Sequence, residues 1–321
     1  MGDTKYIYAV ARVRTHEKDL LDANFLEQLA AAKDEQAALK MLNEHGWGSD
    51  GMKAEEIFSQ KEDETWSFMR ELLGDISVFN VFFYKNDFHN LKAAVKESCI
   101  AGTHPGIFAA RGTLDPKWIL DKVENRKFAD LPETMRDAAK EATDTLLSTR
   151  DGQLCDVIVD AAALRAIKKA GKESGNDILD LYGELTTASA DIKTAVRAAR
   201  VGKSLDFMKM ALVPCDTLDV KELGEAAARG EDAVFSALNR TPYHADVDIL
   251  KKSMAQFERR CDDRLIEAIR PQRHNSFGLG PLAAYILATE TEIQSVRIIL
   301  SGKRNHFPEE YIRERIRLTY A

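Results

Sequence analysis

The sequence predicts an all-α protein in which one kind of helical domain occurs three times. Apolar side chains recur at every third or fourth residue along most of the chain, which is the spacing of one helix face. Strand-like alternation is almost absent, and proline, which interrupts helices, accounts for only 8 of 321 residues. One amphipathic helix also recurs at a constant interval, so the helices are expected to form repeated domains.

Local patterns predict the individual elements. The segment NFLEQLAAAKDEQAALKMLNEHGWG predicts a helical region that ends at Gly46, because glycine reaches the left-handed conformation that follows many helices. The run ISVFNVFFY, residues 76–84, lacks clean alternation and continues into a helical pattern, so it predicts a buried helix. LPETMRDAAKEATDTLL predicts a helix with Pro132 at its start. DVDILKKSMAQFERRCDDRLIEAI predicts a helix that ends before Pro271.

An alanine-rich stretch is written twice. AAAKDEQAALKMLN at residues 30–43 and AAARGEDAVFSALN at residues 226–239 share seven of fourteen positions. We interpret the stretch as one early helix of the first and third domains. The middle domain has no close copy of it.

A second segment occurs three times, as NLKAAVKESCIAG, DIKTAVRAARVGK and EIQSVRIILSGK. Their anchors Leu91, Ile192 and Ile293 are spaced by 101 residues, and small or apolar residues follow three positions later, which predicts one shared helix face. In the third copy Arg297 replaces a valine, which a rotation of about one residue or an insertion would explain. Each copy ends in a glycine that is predicted to terminate its helix: Gly102, Gly202 and Gly302.

The glycines also suggest domain boundaries. AGTHPG at residues 101–106 and VGKSLD at residues 201–206 are candidate linkers. The prediction is therefore a first helical domain at 1–105, a second at 106–205 and a third at 206–321.

Composition and motifs argue against several classes of function. The net charge of −7 gives no basic excess for a nucleic-acid partner, and no apolar run is long enough to cross a membrane. No secretory signal is apparent, and the four widely spaced cysteines are expected to be buried free thiols in a reducing cytosol. The histidines are scattered, and GLGPLA at residues 278–283 predicts a loop that leads into a helix rather than a dinucleotide site. We therefore expect no catalytic, cofactor-binding or metal-binding residues.

Three stretches carry a resemblance to a known family. YIYAVARVRTHEKDLL, FYKNDFHNLKAAVK and PLAAYILATETEIQSVRIILSGKRNHFPEEYIRERIR resemble the C subunit of the archaeal and bacterial A/V-type ATP synthases, which corresponds to the d subunit of the vacuolar ATPase. The arginines of the first stretch, Arg12 and Arg14, and the E-x-x-x-x-R pattern of Glu292 and Arg297 resemble the residue pattern of this family. The resemblance implies three similar helical domains around a pseudo-threefold axis, arranged as a funnel.

The resemblance also implies a mechanical function. The family member is a non-catalytic rotor subunit of the central stalk, with one copy per complex, and is monomeric when isolated. It links the proteolipid (c/K) ring to the shaft subunits D and F at the cytoplasmic face of the membrane, as a peripheral subunit without membrane insertion. It would couple proton or sodium transport to ATP synthesis or hydrolysis.

The repeated helices are the expected lining of the surface that contacts the shaft or the ring. The alternative is that these charges belong to ordinary solvated helix faces. An all-helical scaffold or adaptor unrelated to ATPases and a helical enzyme with a dispersed acid/base site are the alternatives. The candidate interface residues are Asn90, Lys92, Lys96, Asp191, Lys193, Arg197, Glu292, Gln294 and Arg297.

Overall fold

The computed structural model describes residues 3–99 and 106–321. Within them the regular structure is entirely helical and contains no strand, which confirms the predicted all-α class. Short 3₁₀ segments lie between some of the helices. The α-helices of the described residues are α1 (Ile7–His16), α2 (Ala23–Ala30), α3 (Glu35–Glu44), α4 (Ala54–Leu73), α5 (Asn80–Cys99), α6 (Pro116–Glu124), α7 (Glu133–Thr149), α8 (Gly152–Glu173), α9 (Asp177–Arg200), α10 (Leu205–Ala211), α11 (Val220–Arg229), α12 (Glu231–Leu238), α13 (Val247–Lys252), α14 (Met254–Ile269), α15 (Gly280–Arg304) and α16 (Glu309–Arg313).

Aspartate side chains begin many of these helices. Asp22, Asp34, Asp115, Asp151 and Asp219 each accept a hydrogen bond from a backbone N–H in the first turn that follows. Such a cap satisfies a donor that the helix itself leaves unpaired, and its negative charge suits the positive end of the helix dipole. The starting points of these helices are therefore fixed by local chemistry.

One compact unit joins the beginning of the chain to its end. It comprises the described residues within Met1–Ile76, Asn176–Ile178 and Asp248–Ala321. Helix α15 packs against α1, α2, α3 and α4 there. The core of this contact is apolar and includes Leu29, Leu42, Trp47, Val296 and Ile299.

The second compact unit comprises the described residues within Ser77–Gly175 and Leu179–Val247. Helix α5 packs against α6, α7 and α8. Its core includes Leu91, Ile119, Ala139 and Val159, all fully buried. The three predicted domains, at 1–105, 106–205 and 206–321, remain a prediction. The two compact units do not test them, because each unit combines segments that are distant along the chain.

The alanine-rich stretch is a helix–break–helix rather than one helix, so that interpretation is wrong. In the first copy α2 ends at Ala30 and α3 begins at Glu35, where Asp34 provides the cap. In the second copy α11 ends at Arg229 and α12 begins at Glu231, after Gly230 with φ of 126°. Both copies place the start of the second helix at the shared glutamate, so the repeat encodes a break.

The predicted helix stops have different outcomes. Gly46 and Gly202 adopt φ of 84° and 66° after their helices, as predicted. Gly302 is wrong as a stop, because α15 continues to Arg304 and Gly302 is buried inside it. A Cβ at Gly302 would lie 2.6 Å from Ile312, so this glycine permits close packing. Gly102 and most of the linker at 101–106 lie outside the described residues.

The other local predictions have mixed outcomes. Residues 77–79 form a 3₁₀ turn before α5, so the predicted helix at 76–84 starts later than its apolar run. The helix predicted before Pro271 is interrupted at Ser253, whose hydroxyl caps α14. The loop that leads into α15 is confirmed, with Pro281 in the first turn. None of the four cysteines forms a disulfide bond, and Cys155 and Cys261 are buried as predicted, whereas Cys99 and Cys215 are partly exposed.

Candidate partner-binding surface

The repeat helices α5, α9 and α15 carry a buried polar residue just before each apolar anchor. We call Asn90, Asp191 and Glu292 the anchor polar residues; their exposed fractions are 0%, 0% and 2%. Leu91 and Ile192 beside the first two are fully buried as well. Equivalent polar residues are therefore buried at the same place in three helices, where an unpaired polar group would be costly.

Each anchor polar residue binds the backbone of a segment far from its own helix in sequence. Ala109 N–H donates to Asn90 Oδ1 at 2.7 Å, and Asn90 Nδ2 donates to the Ala109 carbonyl at 3.1 Å. Both carboxylate oxygens of Asp191 accept the Val213 N–H, at 3.1 and 3.2 Å. Leu21 N–H donates to Glu292 Oε1 at 2.7 Å. These bonds satisfy backbone groups in the segments that precede α6, α11 and α2.

Two further carboxylates make a second contact of the same kind. We call Asp87 and Glu184 the clasp carboxylates. Thr113 donates both its N–H and its hydroxyl to Asp87, at 2.8 and 2.6 Å. Thr217 donates the same two groups to Glu184, at 2.7 and 2.6 Å. Each threonine lies four residues after the backbone N–H that binds the anchor polar residue of the same helix.

The sequence interpretation missed the clasp carboxylates, although a short repeat could have indicated them. TLDPK at residues 113–117 recurs as TLDVK at residues 217–221, and a shorter Leu-Asp pair stands at 21–22. The aspartate of each copy caps α6, α11 or α2. The repeat therefore marks three places where a long helix holds the start of a shorter one.

The environments of these carboxyl groups shift their pKa values in different directions. Burial raises the pKa of Asp191 to about 7, and the nearby Glu184 adds to the rise, while the Val213 N–H and Arg165 oppose it. Burial also raises the pKa of Asp87, although the hydrogen bonds from Thr113 and Leu114 oppose the rise.

The pKa values of Glu184 and Glu292 are shifted in opposite directions. Burial alone would raise the pKa of Glu184, but hydrogen bonds from the Asp216 N–H, from Lys168 and from Thr217 outweigh it and lower the pKa to about 2. Burial raises the pKa of Glu292 well above its ordinary value. The second oxygen of Glu292 has no hydrogen-bond partner among the described residues.

The predicted interface lysines on α5 are paired with the neighbouring helix α8. Lys92 Nζ lies 2.6 Å from Asp160, and Lys96 Nζ lies 2.6 Å from Asp156. Both lysine side chains are partly exposed, at 22% and 32%. Their charges are thus partly neutralised before any partner binds.

The remaining predicted interface residues lie nearer to solvent. Lys193 is half-buried and Arg197 is exposed on α9. Gln294 is exposed and donates to Asp262 at 3.3 Å. Arg297 is half-exposed, pairs with Glu55 at 3.2 Å and stacks over the Phe58 ring at 4.7 Å. These four can reach a partner, whereas the three anchor polar residues are engaged inside the chain.

Arg297 stands at the edge of the buried face of α15. Ala94, Ala195 and Val296, the matching positions three residues after the anchors, are all fully buried. The third copy therefore keeps the register of the other two at this position. The exchange of valine for Arg297 changes one edge of the face and needs no rotation of a whole residue.

Arg14 connects the first helix to the end of the chain. Its guanidinium binds Glu17 and donates to the carbonyls of Gln272 and Asn275, both at 2.6 Å. Tyr320 donates its hydroxyl to Glu17 at 3.0 Å. Arg14 therefore joins the first helix to residues 272–275, and Glu17 just after that helix joins it to Tyr320.

The comparisons with known proteins cover nearly the whole chain. Within the described residues, no helix combines the length and apolar character needed to cross a membrane, and no group of three His, Cys, Asp or Glu side chains is placed to hold a metal ion. The C subunit of the V-type sodium ATPase of Enterococcus hirae is 24% identical over 278 residues, 82% of this chain and 81% of that protein. The C subunit of the A-type ATP synthase of Desulfurococcus sp. is 26% identical over 148 residues, 44% of this chain and 40% of that protein. Residues 9–315 match the family described as ATP synthase (C/AC39) subunit, and the chain belongs to that family.

Proposed function

We propose that the chain is a non-catalytic rotor subunit in the central stalk of a V/A-type ATPase. In this role it links the proteolipid ring to the shaft subunits D and F, one copy per complex, at the cytoplasmic face of the membrane. The observation that carries the proposal is the family match over residues 9–315. An all-helical scaffold unrelated to ATPases is inconsistent with that membership.

Resistance to local unfolding is the physical requirement of such a role. One charge crossing 100 mV supplies about 2.3 kcal/mol, and several such steps must accumulate before one ATP forms. A subunit that passes this energy on must not yield locally. The anchor polar residues and the clasp carboxylates support the proposal, because each ties a long helix to a backbone segment outside that helix through buried or partly buried hydrogen bonds.

The perturbed carboxyl groups do not favour an enzyme. Asp87, Asp191 and Glu184 bind backbone N–H groups of their own chain, and Glu184 also pairs with Lys168. Burial raises the pKa values of Asp87 and Asp191, and the hydrogen bonds that Glu184 accepts lower its pKa, so the shifts are explained without a substrate. We therefore assign these groups to the scaffold.

The solvent-facing charges of the repeat helices are the proposed contact with the shaft. Reversing Lys92, Lys193 and Arg197 to glutamate should weaken binding of a purified D–F complex by about tenfold at low salt, and by less at high salt, since screening weakens exposed charge pairs. Titration calorimetry at two ionic strengths measures this. A second variant, Lys193→Glu with Arg197→Glu, preserves the pair between Lys92 and Asp160.

A matched control reverses three other exposed cations: Lys40, Arg126 and Lys209. It changes net charge equally and should leave affinity within about twofold. Equal weakening by both triple variants would remove the repeat helices from the contact. Absence of any binding between the native chain and D–F would contradict the proposed role itself.

A further inference from the structure

A cleft lies where α15 ends and α16 begins. It has a volume of about 190 Å³, enough to accept one large side chain. Two helices and the turn between them form its walls. We call it the aromatic cleft; it is lined by Arg297, Ile298, Ser301, Gly302, Phe307, Tyr311, Ile312 and Arg315.

The floor of the aromatic cleft is closely packed. Ile312 is 1% exposed and contacts the backbone of Gly302, where even a Cβ would lie 2.6 Å from it. Because this floor has no room to collapse further, the cleft exists before any partner arrives. A preformed concave site loses little ordering entropy on binding.

The rim of the cleft exposes two aromatic rings. Phe307 is 45% exposed and Tyr311 is 41% exposed, and their rings meet edge to face with centroids 5.3 Å apart. Large apolar side chains exposed together are typical of protein contact sites, and aromatic residues are enriched there. The pair therefore marks a surface that another chain can cover.

The charge of the cleft indicates what that chain carries. Arg297 and Arg315 are the charged residues among its described lining, which contains no acidic side chain, on a chain of net charge −7. Arg315 stacks over the Tyr311 ring at 4.2 Å and bonds the Tyr311 hydroxyl, so its guanidinium is held at the rim. The pair between Arg297 and Glu55 is half-exposed and therefore exchangeable for another carboxylate at little cost.

We propose that the aromatic cleft docks an acidic amphipathic segment of a partner protein, which inserts one apolar side chain into the cleft against Phe307 and Tyr311 and places carboxylates on Arg297 and Arg315. This surface extends beyond the proposed shaft contact: Arg297 belongs to both sets of candidate residues, whereas Phe307, Tyr311 and Arg315 belong to the cleft alone. A concave site with a buried floor and two arginines suits an inserted side chain better than the flat surface of a lipid bilayer. Guanidinium groups bind carboxylates in a paired geometry, which favours glutamate or aspartate beside the inserted residue.

Peptide selection on the full chain tests this docking site. The immobilised protein is panned against a displayed library of random peptides of about twelve residues, the length of a short helical binding motif. Enriched peptides should combine acidic residues with leucine or an aromatic residue. The double variant Phe307→Ser and Tyr311→Ser should weaken binding of the enriched peptides by about tenfold or more, and Arg297→Gln with Arg315→Gln should do the same in a salt-sensitive way.

Controls distinguish specific binding at the cleft from nonspecific hydrophobic binding. Phe277→Ser removes another exposed aromatic ring, 51% exposed and outside the cleft, and should leave binding unchanged. Circular dichroism verifies that each variant is folded. Enriched peptides that are basic, or that bind the cleft variants as well as the native chain, would overturn the proposal. So would failure to enrich any peptide, or cleft-dependent flotation with phosphatidylserine vesicles in place of peptide binding.

Discussion

Asn90 in α5 and Asp191 in α9 occupy the same position in two repeats. Each accepts a hydrogen bond from a backbone N–H outside its helix, Asn90 with an amide and Asp191 with a carboxyl group. Asn90 exchanges two hydrogen bonds with one residue, Ala109, through its amide oxygen and nitrogen. Asp191 accepts one N–H, from Val213, with both oxygens. Both side chains are fully buried. An amide therefore satisfies donor and acceptor without charge, whereas a carboxylate at that place is either charged in a poorly solvated site or protonated.

The difference gives the two repeats different responses to pH. Burial raises the pKa of Asp191 to about 7, while Asn90 does not titrate. Glu184 lies seven residues before Asp191 on α9, and the hydrogen bonds that it accepts lower its pKa to about 2. The second repeat thus contains two carboxyl groups whose contributions to stability change with pH in opposite directions. The first repeat has the amide of Asn90 in the position of Asp191.

The largest expected effect comes from Asn90→Asp, which gives the first repeat the chemistry of the second. The new carboxylate would face the Ala109 carbonyl in place of a donor and would lie one helical turn from Asp87. Two buried acceptors without a proton between them repel, so the free energy of unfolding should fall by about 3 kcal/mol at pH 8. The loss should be smaller at pH 5, where the new carboxyl is partly protonated. Urea titrations at the two pH values measure it.

The matched control for this substitution is Asn24→Asp, an exposed site at the start of α2. Its effect should stay within about 0.5 kcal/mol. An equal loss at pH 5 and pH 8 for Asn90→Asp would show that shape rather than charge matters at that position.

The next effect in size concerns Glu184→Gln. The folded pKa of Glu184, about 2, lies below its ordinary value, so its stabilising contribution is present above about pH 4.5 and is lost as the pH falls towards 2. Glutamine keeps the shape but not the charge that Lys168 contacts, so the variant should lose about 2 kcal/mol at pH 7 and progressively less below pH 4. Denaturant midpoints between pH 3 and 7 follow the difference.

Glu173→Gln is the control for an exposed pair, since Glu173 meets Lys169 at 3.8 Å near solvent. Its cost should be within about 0.5 kcal/mol at all pH values. If the difference in unfolding free energy between Glu184→Gln and the native chain did not become smaller at low pH, the contact between Glu184 and Thr217 would not depend on the charge of Glu184.

The predictable part of this molecule is the part encoded locally. Leu91, Ile192 and Ile293 were predicted as one buried helix face from their spacing, and all three are buried. Helical periodicity concerns neighbours three and four residues apart, so a sequence reports it directly. The aspartate caps are equally local, and the recurrence of TLDPK as TLDVK marks two of them, Asp115 and Asp219.

The parts that the sequence did not reveal depend on contacts across long separations. Glu292 binds Leu21, 271 residues away, and Asp87 binds Thr113, 26 residues away. Asn90, Asp191 and Glu292 are predicted at an interface because they begin the repeated helices, and the sequence does not show that their side chains bind backbone groups inside the chain. Gly302 similarly follows a local rule for helix ends that the approach of Ile312 overrides.

The smallest expected effect is a gain, from Asp191→Asn, which gives the second repeat the chemistry of the first. Because the folded pKa of Asp191 lies above its unfolded value, its stability contribution is full below about pH 4 and is lost as the pH rises through about 7. Asparagine removes that loss, so the variant should match the native chain at pH 4.5 and exceed it by about 1–2 kcal/mol at pH 8.5. The gain is limited because the new amide needs an acceptor, which Asn90 finds in Ala109. Asp180→Asn, an exposed site on the same helix, should show no such trend. A constant difference across the pH range would mean that Asp191 stays charged when buried, and Arg165 would then be the group that holds the charge there.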